Sequence, residues 1–135
     1  MPKQGVVPDE LTAPFWTAAN EQRLVIQHCT NCNRLQHPPA VQCARCAEGN
    51  LEWQEMSGLG HIYSYAVVHD GPVRMLKEGQ PFNVAIITLD DDPNIQMLSH
   101  LPGTPSGEVP VKAAVQVVFE DSANGQKIPE WKVIE

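Results

Sequence analysis

The sequence is short of positive charge: nine Lys and Arg stand against 16 Asp and Glu in 135 residues, a formal net charge of -7. Affinity for phosphate backbones comes from clustered Lys and Arg, so nucleic acid is not expected as a partner. No run approaches the ~20 apolar residues needed to cross a bilayer. The start, Met1-Pro2-Lys3-Gln4-Gly5, lacks the apolar stretch of a signal peptide, which predicts a cytoplasmic protein away from membranes. There is no G-x-x-x-x-G-K-[ST] phosphate loop, and Gly58-Leu59-Gly60 lacks the third glycine of a dinucleotide fingerprint. No G-x-S-x-G elbow occurs either. All four cysteines fall in one paired pattern, so no thiol is left over as a nucleophile. No catalytic residue is assigned, and the chain is not expected to be an enzyme on its own.

What is present reads as a small β protein in two parts. Hydrophobic residues make up 42% and charged residues 19%, a globular composition. Thr12 as cap, Pro14 in the first turn and the stripe Phe15, Trp16, Ala19 predict a short helix over residues 12–20. The run Arg23 to His28 leads as a strand into the first cysteine pair, and Leu35 to His37 returns before Pro38-Pro39. From Trp53 onward, β-branched runs separated by Gly, Pro and Asp predict strands at 59–69, 82–90, 94–101, 111–120 and 128–134. Five such strands fit a small Greek-key barrel of the OB type. The division is residues 1–52, helix and ribbon, and residues 53–135, OB-fold barrel.

The strongest pattern is Cys29-x2-Cys32-x10-Cys43-x2-Cys46. Two-residue spacing lets both sulfurs of a knuckle converge on one ion, and a hairpin brings two knuckles into a tetrahedron, which points to a structural Zn2+. Four sulfurs leave no open position for water or substrate. Residues 22–47 hold no Asp or Glu, and Arg34 and Arg45 sit beside the ligands to offset the charge. Iron in the same four-thiolate cage is the competing reading, which would make the protein a rubredoxin-like electron carrier. His28 and His37 flank the ribbon and are expected to be hydrogen-bonding surface residues. Asp90-Asp91-Asp92 lacks the ligand spacing of a calcium loop and reads as a solvated turn. His61, Tyr63, Tyr65 and His69 follow period-two spacing and are expected on one strand face, as a ligand groove or as plain barrel wall.

A wider resemblance connects these fragments. The aromatic pair Phe15-Trp16, the four-cysteine ribbon, Trp53, Gly58-x-Gly60-x-Ile62-Tyr63-Ser64-Tyr65, Pro81-Phe82-x-Val84-Ala85-Ile86-Ile87-x-Leu89, Val115-x-Val117-x-Phe119 and Ile128-Pro129-x-Trp131 follow in order. Together they resemble the acyl-CoA-associated OB-fold family with a rubredoxin-like zinc ribbon. Lys112 departs from it, standing where the family often has glycine. The resemblance implies an accessory subunit of a hetero-oligomer with a thiolase-fold partner, handling an acyl-CoA ester such as a steroid side-chain thioester. It implies help in ordering the partner's active site and in binding CoA. On this reading Arg74 and Lys77 are candidate CoA contacts, and Phe15 and Trp16 the candidate partner surface. A nucleic-acid-binding ribbon and barrel is the alternative from another class.

Overall fold

A computed structural model describes residues 5–69 and 81–134. In chain order they form α1 (Ala13–Asn20), β1 (Val25–Cys29), β2 (Leu35–Gln36), β3 (Leu51–Glu55), β4 (Leu59–Val68), β5 (Phe82–Leu89), β6 (Gln96–Ser99), β7 (Ala114–Asp121) and β8 (Lys127–Val133). Pairing is antiparallel throughout, in a three-stranded sheet β2-β1-β3 and a five-stranded sheet β6-β5-β4-β7-β8. The fold is mainly β, with one short helix, a four-cysteine ribbon and a nearly closed five-stranded barrel, as expected. No helix among the described residues is long and apolar enough to cross a membrane.

Thr12 does not cap α1 with its own side chain. Asp9 does so one turn earlier: its Oδ1 accepts from the Thr12 N–H at 2.8 Å and from the Thr12 hydroxyl at 2.9 Å. Thr12 Oγ1 in return accepts from the Asp9 N–H at 3.2 Å, a reciprocal capping box. The Thr12 amide, then its hydroxyl, hold the Asp9 carboxyl below its usual range. Phe15, Ala18 and Ala19 turn inward. The C-terminal end is pinned to β8 by Gln126 Nε2 donating to Trp16 O and the Lys127 N–H donating to Asn20 Oδ1, both at 3.0 Å.

Period-two burial explains β5, where Asn83, Ala85, Ile87 and Leu89 face inward and the residues between them are half-buried. With Ile62, Met97, Val115 and Trp131 they build a core that Phe15 of the helix and Leu24 and Ile26 of the ribbon also enter. Helix, ribbon and barrel therefore share one hydrophobic interior. Gly60 is demanded by close approach, since a Cβ there would lie 2.7 Å from the Thr88 carbonyl oxygen. Gly58 has φ +80° and a Cβ would meet Val117 Cγ1 at 2.9 Å, so the two glycines do more than permit a bend.

The seam between β6 and β8 closes through side chains. Ser99 Oγ accepts from the Trp131 N–H at 2.9 Å and the Leu101 N–H at 3.0 Å, and Glu130 Oε2 accepts from the His100 N–H at 3.1 Å. His100 Nε2 lies 2.7 Å from Glu120 Oε1 across the same seam. One strand was not expected: β3 pairs with β1 over all five of its residues and carries the ribbon sheet through Glu55. The Met56 N–H then donates to Leu24 O at 2.8 Å. Asp91 fixes the entry to the barrel, accepting from the Ser57 N–H at 3.0 Å and the Ser57 hydroxyl at 2.7 Å.

Candidate metal centre

The two knuckles are built alike. In the first, the Cys29 N–H donates to Arg34 O at 2.8 Å and the Asn33 N–H to Cys29 O at 2.8 Å. In the second, the Cys43 N–H donates to Glu48 O at 2.8 Å and the Ala47 N–H to Cys43 O at 2.9 Å. Each tight turn closes on a residue of positive φ, Asn33 at 62° and Ala47 at 58°. Asparagine reaches that region at little cost, whereas alanine enters it under strain.

The turns converge four sulfurs. Cys29 Sγ lies 3.6 Å from Cys46 Sγ, and Cys32 Sγ lies 3.6 Å from Cys43 Sγ. All four donors lie within 4.8 Å of one another. A disulfide needs about 2.05 Å. A tetrahedron with metal–sulfur bonds of about 2.3 Å has edges of about 3.8 Å, so the spacing is that of ligands around one ion. Cys29 and Cys43 are buried and the other two half-buried. The chemistry of the donors agrees. The Cys46 and Arg45 amides pull the Cys43 thiol down to about 6, and the Asn31 side chain and Glu48 amide lower Cys46. The Arg34 amide pulls Cys32 down as well, but burial and the neighbouring sulfurs outweigh it and hold that thiol up at about 11.

A pair of buried glutamines fixes the second knuckle, and the sequence reading missed them. Gln27 and Gln36 are cross-strand partners on β1 and β2. Gln36 Nε2 donates to Gln27 Oε1 at 2.9 Å, and Gln36 Oε1 accepts from the Ala44 N–H at 3.0 Å, one residue past Cys43. Gln27 grips Ala40 twice, accepting from its N–H at 2.9 Å and donating to its carbonyl at 3.0 Å. The only available signal was a polar residue at an inward position of each predicted strand.

The histidines flanking the ribbon stay outside the sulfur group. His28 Nδ1 lies 3.3 Å from Glu52 Oε1. The His37 ring lies against Phe15 with centroids 5.6 Å apart, and burial pushes its pKa down. Phe15 is 7% exposed and meets Trp16 edge-on at 4.9 Å, while Trp16 remains half-buried. Beside them is an apolar hollow of about 240 Å³ lined by Trp16, His37, Met97, Ile128 and Pro129 among others. Arg74 and Lys77 lie outside the described residues.

The tyrosine and histidine strand is not one face. A bulge at Tyr63 shifts the register, so His61 pairs with half-buried Thr88, whereas Tyr65 pairs with Ala85 on the opposite, buried face of β5. His61 Nδ1 contacts Asp90 Oδ1 at 2.7 Å. Asp92 Oδ1 accepts from the Asn94 N–H at 2.9 Å within the turn, and Asp91 holds Ser57, so all three aspartates are engaged by the protein itself. His100, Glu120 and Glu130 form a second group of closely spaced donors, and their described contacts close the barrel seam.

The profile of the ChsH2 rubredoxin-like zinc ribbon domain matches residues 16–52, and that of the ChsH2 C-terminal OB-fold domain matches residues 53–120. The chain is 40% identical over 80 residues to a probable enoyl-CoA hydratase alpha subunit of Thermomonospora curvata, covering 57% of this chain and 24% of that protein. It is 29% identical over 122 residues to a DUF35 domain-containing scaffold protein of Methanocaldococcus jannaschii, covering 87% and 85%. It is 26% identical over 122 residues to the 3-oxo-4,17-pregnadiene-20-carboxyl-CoA hydratase alpha subunit of Mycobacterium tuberculosis, covering 90% and 36%. The chain thus spans a quarter to a third of the two alpha subunits and most of the scaffold protein. Among solved structures it overlays on a chain of the Ltp2-ChsH2(DUF35) aldolase with TM-score 0.83 and 26% identity, covering 96% of this chain and 98% of that one. With ribbon and barrel matched in sequence order, the chain belongs to the ChsH2 family of rubredoxin-like zinc ribbon and OB-fold proteins.

Proposed function

We propose that the chain is a non-catalytic accessory subunit of a thiolase-fold, acyl-CoA-handling complex of retro-aldol or thiolase type, and that its ribbon holds a structural zinc. The observation that carries the reading is the sulfur tetrahedron itself. A shell filled by Cys29, Cys32, Cys43 and Cys46 leaves the ion no position for water or substrate, so its contribution is to lock the two knuckles together. Support for the partner comes from the overlay on an aldolase named for two components and from the scaffold and alpha-subunit names of the relatives. The pregnadiene-carboxyl-CoA name of the mycobacterial relative favours a steroid side-chain thioester as substrate class.

In such a complex the helix of the first part, residues 1–52, offers the partner surface, and the barrel, residues 53–135, offers the CoA contacts. An accessory chain acts there by ordering catalytic groups of its partner and by helping to hold the CoA ester. Arg74 and Lys77 supply charge for the CoA phosphates. Trp16, backed by Phe15, supplies apolar contact area. The assembly works in the cytoplasm.

Purification of the tagged chain from its source tests this. The expected result is a co-purifying thiolase-fold protein, identified by mass spectrometry, in a complex that binds a CoA ester more tightly than either chain alone by calorimetry. Recovery of the chain without any thiolase-fold protein contradicts the partner. Equal CoA-ester affinity after charge reversal at Arg74 and Lys77 contradicts their role.

A further inference from the structure

β4 outgrows the barrel it belongs to. It pairs with β5 from Gly60 to Val68 but with β7 only from Leu59 to His61. The Ile62 N–H still donates to Ala113 O, and Ile62 O accepts from the Lys112 N–H. Beyond Ile62, among the described residues, no backbone hydrogen bond reaches the side of β4 that faces away from β5.

The register determines which main-chain groups lie along that open side. β5 runs without a bulge, so Ile87, Ala85 and Asn83 share one orientation. Ile62, opposite Ile87, turns its main chain away from β5, and the same then holds for Tyr65 opposite Ala85 and Val67 opposite Asn83. The Tyr63 bulge is what brings Tyr65 rather than Ser64 into that position. The N–H and C=O groups of Tyr65 and Val67 therefore point outward, beside Tyr63 at 65% and Tyr65 at 39% exposure. Protected edges carry charges or proline. Tyr63-Ser64-Tyr65-Ala66-Val67-Val68 has neither, and tyrosine is a residue type that anchors interfaces.

We propose that this edge accepts an extended segment of the partner subunit as an added strand, held by the main chain of Tyr65 and Val67 and gripped by Tyr63 and Tyr65. The inference rests on the accessory-subunit reading above and deepens it. A row of donors and acceptors left open among the described residues, at strand spacing, specifies extended main chain as its occupant. It does not suit a second copy of this chain. Four main-chain hydrogen bonds, each worth about five- to tenfold in affinity, reach only about the millimolar range and bury far less area than a stable dimer needs. Two copies would also each bring a formal charge of -7. A subunit already held by further contacts has no such shortfall.

Amide hydrogen exchange tests this on the free chain and on its complex with the thiolase-fold subunit that co-purifies with it. Exchange at Tyr65 and Val67 is expected to slow at least about tenfold in the complex, while Ala66, whose main chain faces β5, changes little. Val67→Pro removes an outward donor without removing a β5 hydrogen bond, and is expected to weaken the complex at least about tenfold with metal content and circular dichroism unchanged. Unchanged exchange at both amides in an intact complex overturns the added strand and leaves the accessory-subunit reading standing. Protection that grows with concentration of the free chain assigns the edge to a second copy and also overturns it. Failure to recover a thiolase-fold partner removes both.

Discussion

Ala47 holds a left-handed backbone at the position where the first knuckle has Asn33. The strain is local and removable: Ala47→Gly is expected to stabilise the metal-bound protein by about 1 kcal/mol, read as a shift of the denaturant midpoint at constant slope. No gain would mean that the second knuckle is not held in the turn described. Gln36 acts in the opposite sense. Gln36→Leu removes the acceptor of the Ala44 N–H and one of the donors to Gln27 Oε1 at a cost of about 1 kcal/mol, and zinc should leave the variant faster in a chelator competition. X-ray absorption at the metal should give four sulfurs at about 2.3 Å and zinc rather than iron. His37 sets an acid limit. Burial lowers its folded pKa below the ordinary 6.5, so the unfolded chain binds the proton first. Its contribution is complete above 6.5 and is lost as pH falls from there through the folded value. His37→Phe should therefore flatten the fall in Tm across that acid range relative to the wild type. At this scale the four ligands were legible, because Cys-x2-Cys spacing encodes convergence. The glutamines were not, because a single inward polar residue in a strand names no partner.

Among the elements, β7 was legible from alternation, β5 and β8 from apolar β-branched runs between turn residues, and the two glycines marked the barrel entry. β3 was not, since Leu51-Glu52-Trp53-Gln54-Glu55 is largely exposed and owes its conformation to pairing with β1. The helix was placed correctly, but its cap was assigned to Thr12 because Asp9 lies one turn outside the apolar stripe. The Tyr63 bulge hid the edge of β4, as period-two reasoning fails where one extra residue enters a strand. β8 carries the largest single side chain of the interior, Trp131, which is fully buried. Trp131→Ala is expected to destabilise by about 3–5 kcal/mol in equilibrium denaturation, and a loss below about 1 kcal/mol would contradict the packing described.

For the whole molecule, the decisive feature is the interior shared by Phe15, Ile26 and the barrel residues, which couples the metal ribbon to the surface that a partner would meet. An ion with a full sulfur shell can hold this framework but cannot take part in turnover, and the proposed function accordingly places the chemistry on the partner chain. Composition had already disfavoured nucleic acid, and the names of the relatives supplied what spacing alone could not, namely the CoA-ester context of the proposal. The most direct measurement is CoA-thioester turnover by three zinc-replete samples: this chain, the proposed thiolase-fold partner, and the two together. Turnover at full rate only in the combined sample, with none above background from this chain, is the predicted result. Turnover by this chain unaided, or by the partner at the same rate without it, would contradict the account.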